Sequence, residues 1–286
     1  MGKMRADDYP RHPDKLVMSA DVLDLVPSDV MGPMQTKTPG GCMYVVTFID
    51  DCSRHVTVYF MKAKSEVLSK FMIFKAVIEN ATGMAIKRLR SNNGGEYTGR
   101  QFTDYLNRSG IKHKKTVLYT PQQNGLAERM NRSLVKMARG MLYYENVEKK
   151  WWAEAVNTAA WIINRIPNSV TVKTPYETVY KSKPQLKNLK VFGAIGYAHI
   201  PDEKRQKLDA KAFKCRFLGY EDGVKGYRVL ELSTGNVKVV RTVKFMETTN
   251  PAHLMTQLDL EDKDEVAVDP QSLGESPVTS RQINSP

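Results

Sequence analysis

The chain of 286 residues lacks any long apolar run, and it contains only three cysteines. Since a membrane-spanning helix needs about 20 consecutive apolar residues, the sequence predicts no membrane partner. The N-terminus carries no apolar segment of the signal-peptide kind. Cys42, Cys52 and Cys215 are odd in number and scattered, which argues against a disulfide framework and favours an intracellular protein.

The five histidines and three cysteines show none of the paired spacings that bind structural zinc, so we expect no zinc site in this chain. Positive charge, by contrast, is in excess, with a net charge of +12. The segment after Asn250 holds seven acidic and two basic residues, so the excess positive charge lies in the residues before it. A folded region this basic suggests a polyanionic partner.

Apolar periodicity and turn residues predict an alternating order of strands and helices. After a first strand near Asp29, the predicted elements are strands 43–49 and 56–60, a helix within 65–83, strand 86–89, a helix ending at 110, strand 111–117, and helices 126–143 and 148–166. This order suits a mixed α/β domain with helices flanking a five-stranded sheet.

The domain organisation follows from where these patterns stop. We predict a lead-in over residues 1–20, the α/β core over 21–167 and a linker over 168–188. Short strands recurring between glycines predict a small all-β, barrel-like module over residues 189–248. The acidic, Ser- and Pro-containing segment 249–286 is predicted to be disordered.

Three separate positions suggest metal-dependent chemistry on phosphodiesters, which needs carboxylates converging on two divalent ions about 3.5–4 Å apart. Asp29 follows the apolar run 22–26, position 92 ends a short strand, and Glu128 lies in the first turn of the long helix. Taken alone, Asp29 is typical of a turn, and Glu128 of a residue that complements the helix dipole. Their combination is more specific than any one of them.

The surrounding motifs carry a resemblance. They are SDV at 28–30, GP at 32–33, TFIDD at 47–51, KSEV at 64–67, GGEY at 94–97, YTPQQNG at 119–125 and AER at 127–129. Thirty-five residues separate positions 92 and 128. The chain resembles the integrase core of copia-type LTR retrotransposons, a fragment of a Pol polyprotein in the RNase-H-like superfamily. By the same likeness, VFG at 191–193 and FLGY at 217–220 belong to the Src-homology-3-like β module that follows this core.

The resemblance implies metal-dependent 3′-end processing and strand transfer, that is, DNA integration. It implies Asp29, position 92 and Glu128 as the catalytic triad, with Mg²⁺ or Mn²⁺ in a two-ion site. The implied partners are double-stranded DNA, both terminal-repeat ends and target, and further copies of the chain. Nucleus and cytoplasmic virus-like particle are the implied locations. The zinc-binding module that precedes this core in the family is expected to be missing, since the chain begins where that module would end.

Asn92 departs from the family pattern, which has an aspartate there. An amide offers one neutral oxygen and an NH₂ donor where a carboxylate offers two anionic acceptors. Metal ligation is therefore expected only from Asp29 and Glu128, with catalysis impaired by orders of magnitude. Asp50 and Asp51 are expected to be exposed in a hairpin turn, and Glu96 follows two glycines, so compensation by these acids is not favoured. Two functions remain open: a degenerate integrase, or a non-catalytic DNA-binding or assembly relic or co-opted Pol fragment.

DNA contacts are predicted on three neighbouring segments. On the long helix, Met130, Leu134, Met137 and Met141 form the predicted core stripe, beside a basic stripe that is predicted to contact DNA: Arg129, Arg132, Lys136 and Arg139. The basic strand contributes Lys112, Lys114 and Lys115, while Lys87, Arg88 and Arg90 precede position 92. By resemblance, Gln122, Gln123 and Asn124 in a mobile loop position DNA ends. Such backbone contacts give salt-dependent, weakly sequence-specific binding.

Overall fold

A computed structural model describes residues 18–116, 124–167, 172–221 and 223–246. Most of the predicted lead-in, residues 117–123 with Gln122 and Gln123, and the predicted disordered tail lie outside these ranges. Within the described ranges, no helix has both the length and the apolar character needed to cross a membrane.

The first sheet has five strands in the order β3-β2-β1-β4-β5. Strands β1, β2 and β3 pair antiparallel, whereas β1 with β4 and β4 with β5 pair parallel. The predicted mixed five-stranded sheet is therefore confirmed. The strands are β1 (Val26–Met31), β2 (Tyr44–Ile49), β3 (Val56–Met61), β4 (Arg88–Ser91) and β5 (Lys112–Lys115).

Helices cover both faces of this sheet, and the alternation of β2 shows how the two cores are divided. Val46 and Phe48 pack into the core with α1–α3, whereas Val45 and Ile49 pack into the core with α4 and α5. The helices are α1 (Val67–Thr82), α2 (Gly95–Thr98), α3 (Arg100–Arg108), α4 (Gly125–Tyr144), α5 (Trp152–Ile163) and α6 (Pro175–Tyr180). Short 3-10 turns span Lys64–Glu66, Lys149–Trp151 and Asp202–Lys204.

Local sequence explains α1 well. Its predicted apolar positions, which recur at steps of four, three and four, are all buried: Val67, Phe71, Phe74 and Ile78. Gly83 ends the helix with φ of +68°, a left-handed conformation that glycine adopts without strain. The pattern of the sequence and the observed helix therefore agree.

Two segments differ from the sequence-based expectation. The apolar residues before β1 form a buried turn, and the strand itself runs through Asp29, which is therefore a strand residue and not a turn residue. The predicted linker 168–188 contains α6, whose start is fixed by reciprocal bonds between Thr174 and Glu177. Val179 of α6 is buried against the α1 side of the core. A short helix of six residues gives too few turns for apolar periodicity to reveal it.

The second sheet is antiparallel throughout, with the order β10-β6-β7-β8-β9, and it confirms the predicted all-β module. Its strands are β6 (Ile195–His199), β7 (Ala212–Tyr220), β8 (Tyr227–Glu231), β9 (Val237–Val240) and β10 (Val243–Phe245).

The second sheet packs directly on α5. Thr158 Oγ1 donates to the carbonyl of Leu218 at 3.0 Å, and a Cβ at Gly219 would collide with the same hydroxyl. Trp161 stacks on Tyr220 with ring centroids 3.8 Å apart. Because these contacts need close approach, the module is held against the α/β core and is not merely tethered to it.

Candidate active site

Strand pairing brings Asp29 and Asn92 together. The parallel β1–β4 pair sets Pro27 opposite Arg90, so two residues further on, position 29 stands level with position 92. The Asn92 Nδ2 donates to Asp29 Oδ1 at 3.4 Å. Two of the three predicted catalytic positions, which are far apart in sequence, are therefore in contact.

The first turns of α4 lie against the same point of β1. Asn124 Nδ2 donates to the carbonyl of Ser28 at 3.2 Å, and Asn131 Nδ2 donates to Asp29 Oδ2 at 2.9 Å. Glu128 lies between these two positions, three residues before Asn131, and is exposed. Since residues at i and i+3 are neighbours on a helix, Glu128 borders the Asp29 pocket.

The electrostatics agree with this placement. Burial raises the pKa of the Asp29 carboxyl above its ordinary value, and the negative charges of Glu128 and Glu96 raise it further. The amide of Asn131 acts in the opposite direction by donating to the carboxylate. The pKa of Asp29 is therefore raised chiefly because the carboxyl is buried, and its hydrogen bonds only partly offset this effect.

Asn131 is a site residue that the sequence analysis did not identify. Besides bonding Asp29, it accepts a hydrogen bond through Oδ1 from Thr47 Oγ1 at 2.9 Å. The sequence carries a signal for it, because Asn131 falls at helical spacing with three apolar residues. These four residues form the buried stripe of α4: Ala127, Asn131, Leu134 and Ala138. The methionines of the predicted core stripe are only partly buried. A polar side chain within a buried helical stripe requires a partner, and here that partner is Asp29.

The orientation of the Asn92 amide is fixed by the backbone. Its Oδ1 accepts the N–H of Gly94 at 3.0 Å, so the NH₂ group must face Asp29. The carbonyl of Asn92 accepts from Ser91 Oγ at 2.9 Å, and Asn93 Nδ2 donates to the carbonyl of Thr116 at 2.7 Å. These bonds hold the turn after β4 and leave the amide oxygen of Asn92 already engaged.

The residues present do not fit a two-ion metal site. Asp29 accepts from an amide on each oxygen, and position 92 presents a donor where a metal would need an anionic oxygen. Within the described ranges, no three His, Cys, Asp or Glu side chains are grouped so that they could hold a metal ion. The donor set at this point is thus one carboxylate with an amide group bonded to each of its oxygens.

The neighbouring acids Asp50 and Asp51 require a correction, because they are buried and not exposed. Asp50 is 3% exposed and accepts from the backbone N–H groups of Leu23 and Ser53, at 2.7 Å each. Asp51 binds Ser19 and Arg54, each at 2.9 Å. Both carboxylates stabilise the β2–β3 turn and its contact with the segment before β1, so neither is directed to Asp29.

Glu96 and Tyr97 on α2 lie beside the site. The Glu96 side chain is 8% exposed and lies 3.7 Å from the ammonium of Lys64. Tyr97 is fully buried, and its hydroxyl lies 2.7 Å from Ser28 Oγ. Burial raises the pKa of the Tyr97 hydroxyl, so this side chain stays neutral. It supports β1 one residue before Asp29.

The predicted DNA-contact residues separate into distinct groups. The basic stripe of α4 is exposed along its length: Arg129, Arg132, Lys136 and Arg139. On β5, Lys112 and Lys114 share one face, and Lys115 lies on the other. The prediction for Asn124 needs correction, because its side chain is 3% exposed and is bonded to the backbone of Ser28. Asn124 is the N-cap residue of α4 without a side-chain capping bond, and its amide is directed to β1.

Comparison with known proteins gives two family matches. Residues 22–121 match an integrase core domain, and residues 194–257 match a retroviral polymerase SH3-like domain. The chain is 46% identical over 244 residues to the retrovirus-related Pol polyprotein from transposon TNT 1-94 of Nicotiana tabacum, covering 85% of this chain and 18% of the relative. It is 35% identical over 209 residues to that of transposon RE2 of Arabidopsis thaliana, covering 73% of this chain and 14% of the relative.

The chain thus spans less than a fifth of the length of these polyproteins. Among solved structures it is similar to a chain of the simian T-cell lymphotropic virus intasome in complex with PP2A regulatory subunit B56 gamma (18% identity, TM-score 0.48, 82% of each chain covered). It is also similar to the HTLV-2 integrase catalytic core domain in complex with magnesium (19% identity, TM-score 0.44, covering 56% of this chain and 98% of that one). The chain therefore belongs to the family of the Pol polyproteins of plant copia-type retrotransposons, and it contains an integrase core domain followed by a retroviral polymerase SH3-like domain.

Proposed function

We propose that this chain is the DNA-binding core of a retrotransposon integrase whose reaction centre is catalytically impaired. The observation that carries the proposal is the contact between the Asn92 amide and Asp29. A carboxylate at position 92 would place a second negative charge beside Asp29, and a divalent cation bound between them would offset their repulsion. The Asn92 amide instead donates an N–H to Asp29, so there is no repulsion, but the site also has one anionic ligand fewer.

The cofactor expectation follows the same reasoning. Integrase cores typically use divalent metal, and the HTLV-2 core is described in complex with magnesium. In such enzymes the ions activate the attacking oxygen and stabilise the leaving oxygen. Here Asp29 and Glu128 remain as ligands for Mg²⁺ or Mn²⁺, and position 92 contributes no charge. We therefore expect weak metal binding and slow 3′-end processing and strand transfer.

Binding of double-stranded DNA is the second part of the proposal. The net charge of +12 and the exposed cations of α4 and β5 support it. Contacts of lysine and arginine with phosphates bind DNA without reading its sequence and weaken as salt rises. Assembly of several copies on terminal-repeat and target DNA, in a virus-like particle and in the nucleus, belongs to this proposal as a family property.

The test is a strand-transfer assay with terminal-repeat DNA that compares this chain with its Asn92→Asp variant. We expect the variant to join DNA ends about 100-fold faster or more. Each tenfold increase in rate corresponds to a reaction barrier lower by about 1.4 kcal/mol. The matched control is Asn107→Asp, which adds the same charge at an exposed position on α3. Equal rates for the chain and Asn92→Asp would contradict the impairment.

The alternative function is a non-catalytic module that binds DNA or assembles other Pol components. The engaged amide oxygen of Asn92 favours it for the chain as it stands. If Asn92→Asp binds DNA and Mn²⁺ but joins no ends, this alternative is the better description.

A further inference from the structure

The outer face of β4 and β5 is strongly basic. The parallel register pairs Arg88 with Lys112 and Arg90 with Lys114, and paired residues of neighbouring strands point to the same side. The intervening residues point the other way, where Leu89 is buried and Ser91 Oγ lies 2.9 Å from His113 Nε2. The helices α1–α3 cover that second side, so the four cations lie on the opposite face.

This face forms one wall of a concavity of about 500 Å³, called here the basic concavity. Its lining includes Arg54, Arg88, Arg90 and Lys114, together with residues 18–20. Two acids also line it, but both are paired: Asp51 with Arg54 at 2.9 Å and Asp24 with Lys87 at 2.6 Å. By residue type, the lining thus has four cations and two acids.

The cations on β5 are not neutralised within the described part of the chain, where Lys112 and Lys114 have no ion-pair partner. Burial lowers the pKa of the Lys114 ammonium, and the charges of Arg88, Arg90 and Lys112 lower it further. Like charges held this close on two neighbouring strands repel one another. Such an arrangement gains stability when an anion binds.

We propose that the basic concavity binds the phosphodiester backbone of double-stranded DNA, as a contact surface separate from the reaction centre. The backbone positions of the four cations form two rows, about 4.8 Å apart between strands and about 6.6 Å apart along each strand, so their long side chains can reach several phosphates. Arg90 stands opposite Pro27, two residues before Asp29. A strand on this surface would therefore lead directly to the reaction centre.

This inference rests on the proposed DNA-binding function, and the test separates the two. Binding of a short fluorescent DNA duplex is measured by anisotropy over a range of KCl concentrations for the chain and for Lys112→Gln with Lys114→Gln. We expect affinity to fall about tenfold or more at low salt, and the slope of log affinity against log salt to decrease by about 2. Neither lysine is buried in the core, and melting curves verify that the variant is folded.

The matched control removes two exposed charges elsewhere, Lys183→Gln with Lys187→Gln, and should keep both the slope and the affinity. If the β5 variant binds DNA like the unaltered chain while Arg129→Gln with Arg132→Gln weakens binding, the concavity is not a DNA site and the proposed function stands. If the unaltered chain binds no DNA, the proposed function fails together with this inference. If replacing chloride by inorganic phosphate at equal ionic strength abolishes the difference between the chain and the β5 variant, the site is one for a small anion.

Discussion

The amide Nδ2 of Asn92 faces Oδ1 of Asp29 across 3.4 Å. This contact links the sequence departure to its chemical consequence, because an N–H donor stands where the family pattern has a second carboxylate. Asp29 accepts a second hydrogen bond on its other oxygen, from Asn131 at 2.9 Å. The three side chains therefore form a hydrogen-bonded cluster, and we expect this cluster to bind cations weakly.

The first prediction concerns Asn131→Ala. The substitution removes the Asn131 bonds to the carboxylate of Asp29 and to the hydroxyl of Thr47, each at 2.9 Å. Asp29 keeps only the longer contact with Asn92 at 3.4 Å, and Thr47 keeps a bond of 3.3 Å to the Asp29 carbonyl. Losing one partner of a buried polar group costs about 1–3 kcal/mol. We expect the free energy of unfolding, measured in urea, to fall by that amount. Ser133→Ala on the exposed side of α4 is the control and should change it by less than about 0.5 kcal/mol. Similar losses in both variants would show that the Asp29–Asn131 bond adds little.

The second prediction concerns pH and His55. Burial lowers the pKa of the His55 imidazole from 6.5 to about 3 in the folded protein, and the nearby charge of Arg165 lowers it further. Between pH 6.5 and about pH 3, the imidazole of His55 is therefore protonated in the unfolded chain but neutral in the folded chain. The contribution of His55 is intact above pH 6.5, and stability falls by up to about 1.4 kcal/mol per pH unit as pH drops toward 3.

Unfolding curves of His55→Phe at several pH values test this, because phenylalanine preserves the edge-on ring contact with Tyr180. The variant should lose less stability between pH 6.5 and 4.5 than the unaltered chain does. His199→Gln, at an exposed position, should behave like the unaltered chain. A pH profile of His55→Phe parallel to that of the unaltered chain would show that His55 titrates normally.

Much of the fold followed from sequence, and the reasons are local. The apolar residues of α1 recur at helical steps, and β2 is a continuous apolar, β-branched run typical of a buried strand, so both elements were predictable. Asp50 was not, because its burial depends on backbone N–H groups of Leu23 and Ser53 that only the folded chain brings to it. For the same reason a motif could suggest Asn124 as a DNA contact, although tertiary structure places its amide on the carbonyl of Ser28.

The third prediction concerns the attachment of the β module to α5. Arg228 on β8 binds both oxygens of Glu154, at 2.9 and 2.7 Å, and these bonds raise the pKa of its guanidinium. Arg228→Ala leaves a half-buried carboxylate unpaired, so we expect a loss of about 1–3 kcal/mol in thermal or urea unfolding. Arg228→Lys should recover only part, since an ammonium cannot form the bidentate pair.

Arg241→Ala provides the control for this prediction, because Arg241 is exposed on the same module. It should leave stability within about 0.5 kcal/mol of the unaltered chain. If Arg228→Ala is equally harmless, the apolar packing and the Thr158 and Trp161 contacts hold the module on α5 without this ion pair.

The last prediction concerns metal affinity at position 92. With Asn92→Asp, the Asp29 pocket gains an anionic oxygen and loses its N–H donor, so divalent cations should bind there more tightly. Asn92→Asp combined with Asp29→Asn controls for binding elsewhere, because it carries the new carboxylate without its neighbour. Tight binding by that double variant would place the cation away from Asp29.

Calorimetric titration of Mn²⁺ into this chain and into Asn92→Asp tests the central claim most directly. We expect Asn92→Asp to bind Mn²⁺ at least about tenfold more tightly than the unaltered chain, which corresponds to about 1.4 kcal/mol or more. Two tightly bound ions in the unaltered chain, with an affinity equal to that of Asn92→Asp, would contradict the claim that the Asn92 amide has taken the place of a metal ligand.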